Sequence, residues 1–471
     1  MITFTDLFCG AGGSSTGLVA AGYELRLAAN HWARAIETHA ANHRDAEHLC
    51  ADINNYDMRR LPPTDVLWAS PICTEISPAG GRRRTKGQLA LLEYGSVDKA
   101  GWERTRATAY DVIRATEVHR YKAIICENVV EFATDWELFD WWRHAIELLG
   151  YESQVVSVSA AHIGGDGNDY APQWRDRIYV VFTRRGIRKP DLRPLPLAWC
   201  AECGEDVRAR QAWRNGRRVG KYRQQYDYRC PNSRCRHALV EPYVRPAASI
   251  IDWSDPGQRI GDRTRPLVAN TVRRIEAGLT MLGEQRMVLT VNHSGHERTV
   301  KIGDALLVPT GGTWNSTATT TTEPMRTRMA NPKGFEALVT PPQADDSFIV
   351  TLRRNGTARP VSQPVATVTA EGRHHWLVIP YRNAATKTVE EPLHTLGTRD
   401  SAGLLAAAPA LEDCHYRMVQ PREQLCAQRF PHDYIVHGNK GEQTMQAGNS
   451  VAVNVAQWIA GGVATSLDGT T

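Results

Sequence analysis

One cysteine stands where a thiol can act. Cys73 follows an apolar run, Val66-Leu-Trp-Ala69, which is bounded by polar and proline residues and reads as a buried strand. In open α/β sheets ligands gather beyond the carboxyl ends of the strands, and Pro71 and Pro78 stiffen the loop on both sides of this sulfur. Taken alone, a cysteine in such a place is by default a small buried hydrophobe. Three other stretches supply what a nucleophilic thiol needs. Glu127 ends a second apolar run, Ala123-Ile-Ile-Cys126, and offers a carboxyl group. Arg175 and Arg177, of like orientation, precede the run Ile178-Tyr-Val-Val-Phe182. The opening segment, Phe4 to Gly13, is a strand and a glycine-rich turn, with a helix expected to start at Ser14 or Ser15, both good N-caps.

A separate group of residues has metal-ligand spacing. Cys200-Ala-Glu-Cys203 and Cys230-Pro-Asn-Ser-Arg-Cys235 form two knuckles joined by a basic, tyrosine-bearing arm. Two close cysteine pairs of this kind predict a four-thiolate structural zinc site. His237 can stand in for Cys235, and free thiols or a redox pair are the alternatives.

The elements that must position these groups follow from the whole chain. Its 471 residues can bury a large core and suit two or three domains. The net charge of +5 permits nucleic-acid binding without arguing for it. Cysteines inside apolar elements (Cys126, Cys426) fit a reducing cytosol. No apolar run approaches the length of a membrane span, and Met1-Ile-Thr-Phe enters a strand rather than a signal peptide, so the expected location is cytoplasmic with no membrane partner. Helices are expected over 106–120, over 136–149 with Trp141 and Trp142 both in the core, over 421–429 and over 453–464; a strand is expected over 155–160. Between 245 and 408 lies a weak Pro-x-x-Thr repeat at Pro324, Pro364 and Pro392, each copy leading through a polar turn into an apolar run.

In chain order these stretches resemble the motifs of the DNA cytosine-5 methyltransferases. Asp6-Leu-Phe-Cys-Gly-Ala-Gly-Gly13 is similar to the first motif, Ser70-Pro-Ile-Cys73 to the nucleophile motif, Glu127-Asn-Val129 to the glutamate motif and Gln173-x-Arg-x-Arg177 to the paired-arginine motif. Residues 417–431 resemble the ninth motif, and Gln446-Ala-Gly-Asn-Ser-Val451 the last. The likeness covers roughly 1–185 and 412–465 and leaves the middle uncovered.

The resemblance implies an α/β fold, a Rossmann-like class I methyltransferase with a doubly wound sheet and an inserted β-rich target-recognition region; the small zinc knuckle read from the cysteine spacing is an addition to the family pattern within that insertion. The expected division is 1–185 catalytic, 186–245 zinc knuckle, 246–411 target recognition, and 412–471 returning to the catalytic domain. It implies S-adenosyl-L-methionine as cofactor, held by Phe8, Gly10, Gly12, Gly13, His31, Trp32, Asp52, Ile53, Pro71, Asn449, Ser450 and Val451. Cys73, Glu127, Arg175 and Arg177 would carry catalysis on a cytosine flipped out of double-stranded DNA. Basic residues after Gly80 (Arg82, Arg83, Arg84, Lys86) would clamp phosphates from a lid. Arg326, Arg353, Arg354 and Arg373 of the repeat region are candidates for groove contact. A monomeric enzyme of restriction-modification is expected. The sequence departs from the family at His31, where an acidic residue is usual, and at Ile72 and Thr74 beside the thiol. Two alternatives remain: methylation of an RNA cytosine, and a DNA-binding protein on a degenerate methyltransferase scaffold.

Overall fold

The apolar runs become neighbouring strands of one sheet. The structure, a computed structural model, describes residues 1–71, 99–165, 167–267 and 411–469, together with short segments between 269 and 376. In chain order the elements are β1 (Thr3–Leu7), α1 (Gly13–Ala20), β2 (Glu24–Asn30), α2 (Ala33–Asn42), β3 (Glu47–Cys50), β4 (Val66–Ala69), α3 (Lys99–His119), β5 (Ala123–Asn128), α4 (Glu131–Thr134), α5 (Phe139–Leu148), β6 (Tyr151–Ser159), β7 (Gln173–Trp174) and β8 (Asp176–Arg184). The sheet order is β3-β2-β1-β4-β5-β8-β6. The pairings from β3 to β5 are parallel, and β8 runs antiparallel to both β5 and β6. Near-continuous apolar runs are what a sheet covered on both faces requires.

Alternate residues of each strand feed two different cores. Phe4, Val66, Trp68, Ala123 and Ile125 pack with Leu18 of α1 and with Val455, Ala456 and Ile459 of a C-terminal helix. Leu7, Leu67, Ala69, Ile124 and Cys126 pack with Val112 and Ala115 of α3 and Trp142 and Ile146 of α5. This is the doubly wound sheet expected from the sequence. No described helix is long and apolar enough to cross a membrane.

Several boundaries differ from the expectation for identifiable reasons. Helix α1 starts at Gly13 because Ser14 and Ser15 do not cap it; both hydroxyls instead donate to Asp6 Oδ2, at 2.6 and 2.7 Å. The expected helix over 136–149 is the shorter α5, which starts only at Phe139, and Trp136 lies in the turn that joins it to the short preceding α4. Trp142 is fully buried, whereas Trp141 is 56% exposed, since one helical step turns it about 100° off the apolar stripe. The helix beginning at Pro421 stops at Cys426, and Arg429 takes a left-handed φ of 68°.

The chain divides into two compact units. One comprises Met1–Ile251, Thr322–Phe335 and Val419–Thr471, and includes the cysteine knuckles together with α6 (Pro421–Cys426), α7 (Lys440–Asn449) and α8 (Val453–Asp468). The other comprises Asp252–Thr321 and Glu336–Met418 and holds an antiparallel sheet of Gln258–Arg259, His415–Met418, Glu336–Thr340, Leu306–Pro309 and Thr319–Thr320. The described part of this unit is thus β-rich.

Candidate active site

The carboxyl ends of β3, β2, β1 and β4 lie side by side, stitched by backbone hydrogen bonds from Cys9 N–H to the Ala29 carbonyl, Ala51 N–H to the Asn30 carbonyl and Ser70 N–H to the Leu7 carbonyl, each 3.1 Å. Phe8, His31 with Trp32, Asp52 with Ile53, and Pro71 therefore share one edge. Phe8 sits there at φ 62°, a left-handed conformation that costs energy for any residue with a side chain and that clusters at functional sites. Gly10, at φ 54°, has nothing within 4 Å of where a Cβ would stand, so a ligand can approach its backbone. The donor set, open glycine and helix N-terminus suit the carboxylate and adenosine of S-adenosylmethionine.

Two cofactor candidates are placed more specifically than the sequence suggested. Asp52 caps a short turn, accepting from Asn54 N–H at 3.2 Å and Asn55 Nδ2 at 3.0 Å. Arg114 of α3, without any signal in the sequence, fixes this turn by donating to the carbonyls of Ile53, Asn54 and Tyr56. His31 is exposed, and the Trp32 backbone N–H donates to Asn30 Oδ1 at 2.9 Å. From the far end of the chain, Asn449, Ser450 and Val451 return to the same region: an added Cβ on Gly13 would lie 2.1 Å from the Val451 carbonyl oxygen.

The chemistry-bearing pair sits at the end of β5. Arg177 Nε lies 3.1 Å from Glu127 Oε1, with only 12% and 10% of their side chains exposed. Burial raises the Glu127 carboxyl above its ordinary value, while Arg177, Arg175 and the Ser70 hydroxyl pull it down. Ser70 and Pro71 precede Cys73 in the sequence, and Asn128 Nδ2 holds the Pro71 carbonyl at 3.1 Å. Sequence reasoning quoted Ser70 and Asn128 within motifs but assigned them no role. Arg175 is buried and turns elsewhere, its Nη2 donating to the carbonyls of Gly448 at 3.3 Å and Ser450 at 2.5 Å. Cys73, Arg82, Arg83, Arg84, Lys86, Arg353, Arg354 and Arg373 lie outside the described residues. Arg326 is in a strand paired with Gln173–Trp174.

Beneath the glycine turn lies a histidine cluster that the sequence reading passed over. His39 Nδ1 is 2.9 Å from His48 Nε2, His39 Nε2 is 3.0 Å from Ser15 Oγ, and His43 Nε2 is 3.2 Å from Thr16 Oγ1. Burial drives His39 well below the ordinary imidazole range and His43 down to about 4. The same burial pushes Asp6 up to about 7 against its two serine hydrogen bonds.

The cysteine knuckles converge. The sulfurs of Cys200, Cys203, Cys230 and Cys235 all lie within 4.8 Å of one another. Cys200 and Cys235 are 4.0 Å apart, and Cys203 and Cys230 are 3.8 Å apart. Tetrahedral zinc with Zn–S of about 2.3 Å requires sulfurs about 3.8 Å apart, whereas a disulfide requires about 2 Å. The Arg234 Nε–H, 3.4 Å from Cys203 Sγ, and Asn232 Nδ2 at 3.6 Å hold that thiol down to about 6, toward the thiolate a metal needs. His237 Nδ1 faces the Cys230 carbonyl at 3.1 Å, and Cys235 completes the set. A cavity of about 620 Å³, lined by residues including Gly165, Arg193, Arg208 and Trp458, shares no lining residue with the Glu127–Arg177 site.

The model of the C-5 cytosine-specific DNA methylase family matches residues 2–198 and 307–464. Type II methyltransferase M.AgeI of Thalassovita gelatinovora is 29% identical over 196 residues, covering 39% of this chain and 40% of the relative. Type II methyltransferase M.NlaX of Neisseria lactamica is 27% identical over 216 residues, covering 44% of this chain and 60% of the relative. The chain thus spans about half the length of the curated relatives it matches. The solved structure of Entamoeba histolytica methyltransferase EhMeth aligns over 99% of both chains, with TM-score 0.47 and 10% identity. With the family model matching most of the sequence, the chain belongs to the C-5 cytosine-specific DNA methylase family.

Proposed function

We propose that this chain methylates carbon 5 of a cytosine flipped out of double-stranded DNA, using S-adenosyl-L-methionine, and that its four clustered cysteines hold a structural zinc ion. The observation that carries the reading is the buried Glu127–Arg177 pair beside Ser70 and Pro71, in a chain of this family. Carbon 5 of cytosine is a poor nucleophile. Attack by the Cys73 thiolate on carbon 6 would make the ring an enamine able to accept a methyl group. Glu127, its carboxyl raised by burial, would donate to ring nitrogen 3 as negative charge develops. Arg177 would stabilise the O2 side of the ring, and Arg175 would hold the Asn449–Val451 segment. The cofactor supplies an electrophilic methyl on a sulfonium. Phe8, Gly10, Gly12, Gly13, His31, Trp32, Asp52, Ile53 and Pro71 would hold it. Loss of the carbon-5 proton and departure of Cys73 would then restore aromaticity. The type II class named for the relatives, a cytoplasmic location and action as a monomer belong to the same reading.

Bisulfite sequencing of plasmid DNA incubated with the protein and S-adenosylmethionine tests this. Protected cytosines in a fixed sequence context are expected. Unprotected DNA, with methyl incorporation into structured RNA or with none, would overturn it.

A further inference from the structure

The arm joining the cysteine knuckles does more than span them. It consists of β10 (Glu205–Arg208), β11 (Arg210–Trp213) and β12 (Tyr226–Arg229), flanked by β9 (Leu197–Cys200) and β13 (Leu239–Val240), and Cys230 directly follows β12. Tyr226 and Tyr228 of β12 are fully buried. At the turn before β12, Lys221 and Tyr222 reach the catalytic sheet. Lys221 Nζ lies 2.7 Å from Oε1 of Glu131, whose side chain is 7% exposed in the first turn of the helix just after Glu127. The Tyr222 N–H donates to Asp176 Oδ1 at 3.1 Å, and its ring stacks on Trp174 with centroids 5.9 Å apart and planes at 19°. Trp174 and Asp176 flank Arg175, and the Asp176 carbonyl accepts from Arg177 Nη1 at 2.9 Å. Gln211 Nε2 and the Gly220 N–H bond the Ser157 carbonyl and hydroxyl on β6, which pairs with β8. His162, buried against Trp174, Tyr222 and Tyr228, fills the space between arm and sheet.

We infer that Lys221 and Tyr222 are positioning residues for methyl transfer, through which the cysteine module fixes the mutual geometry of Glu127 and Arg177. The inference rests on the proposed reading of that pair. One residue grips the helix that follows Glu127, and the other grips the residue whose carbonyl orients Arg177. A bound metal that fixes Cys230 also fixes β12, and with it the turn that makes both contacts. Small displacements of such a pair cost rate rather than cofactor affinity.

The test compares the full chain with Lys221→Met, Lys221→Arg and the double variant Lys221→Met/Glu131→Gln, measuring kcat, KM for S-adenosylmethionine, Tm and zinc content. Lys221→Met should lose about tenfold in kcat with KM and zinc content unchanged, and Lys221→Arg should restore most of it. Glu131→Gln removes the buried charge that Lys221→Met leaves unpaired, so the double variant should regain Tm but not kcat. Full kcat in Lys221→Met, or recovery of kcat together with Tm in the double variant, would overturn the inference. An inactive wild-type chain would instead overturn the reading of the site, and this coupling with it.

Discussion

Arg177 Nε meets Glu127 Oε1 at 3.1 Å across the antiparallel pairing of β8 with β5, both side chains nearly out of water. The arginine lowers a carboxyl that burial raises, and the balance leaves Glu127 above its ordinary value. Replacing Glu127 by Gln, or Arg177 by Ala, should each lower kcat by about a hundredfold or more, the scale of losing one buried donor to developing charge. The change in KM for S-adenosylmethionine should be small. Arg177→Ala also removes the group that pulls the carboxyl down. The pH limb belonging to Glu127 should therefore move to higher pH, which a kcat–pH profile measures.

The cysteine module should carry a single zinc ion per chain, measurable by elemental analysis. Cys230→Ser should lose the metal and lower Tm, since a four-thiolate site contributes folding free energy. Retention of full zinc by Cys230→Ser would exclude the arrangement described.

The histidine cluster sets an acid limit. His43 is depressed to about 4 and His39 lies well below the ordinary imidazole range, both chiefly by burial. Groups depressed in the folded state contribute stability that is present above their unfolded value near 6.5 and is lost as pH falls through the folded one. Asp6, raised to about 7, works in the opposite sense: its contribution is present below about 4 and is lost as pH rises through 7. Tm of His43→Gln should fall less than that of the wild type between pH 6.5 and 4. Tm of Asp6→Asn should fall less than that of the wild type between pH 4 and 8.

Gly17 faces α8 so closely that an added Cβ would stand 2.5 Å from Ala456 Cβ and 2.6 Å from the Val453 carbonyl oxygen. Alanine gains about 1 kcal/mol in helix propensity over glycine. Overpacking of a tight helix contact costs about 1–3 kcal/mol, occasionally more, so the loss should win. Gly17→Ala should lower the denaturant midpoint, and a rise would contradict the contact.

The catalytic half of the fold was legible because its strands are continuous apolar runs and its motifs are local. Val66–Ala69, Ala123–Asn128 and the Asp176–Arg184 strand all emerged where Leu, Ile and Val cluster. What the sequence hid depends on pairing across long separations. Nothing local announces that Lys221 would find Glu131, or that Arg175 would turn to Ser450 while Arg177 turned to Glu127. Ser14 and Ser15 have good capping chemistry, but a buried carboxylate at Asp6 competes for their hydroxyls and wins. Trp141 and Trp142 look alike in sequence, and only the direction of the helical stripe separates the buried ring from the exposed one.

The most direct test of covalent methyl transfer uses duplex DNA in which 5-fluorocytosine replaces cytosine at the methylated position. Fluorine cannot leave as a proton does, so elimination is blocked and the sulfur–carbon bond formed by the nucleophile persists. With S-adenosylmethionine present, the wild-type chain should give a complex that survives denaturation, and its peptide map should place the bond at Cys73. Cys73→Ala should give neither this complex nor any methylation of ordinary DNA. A Cys73→Ala chain that methylates ordinary DNA at the wild-type rate would contradict the account.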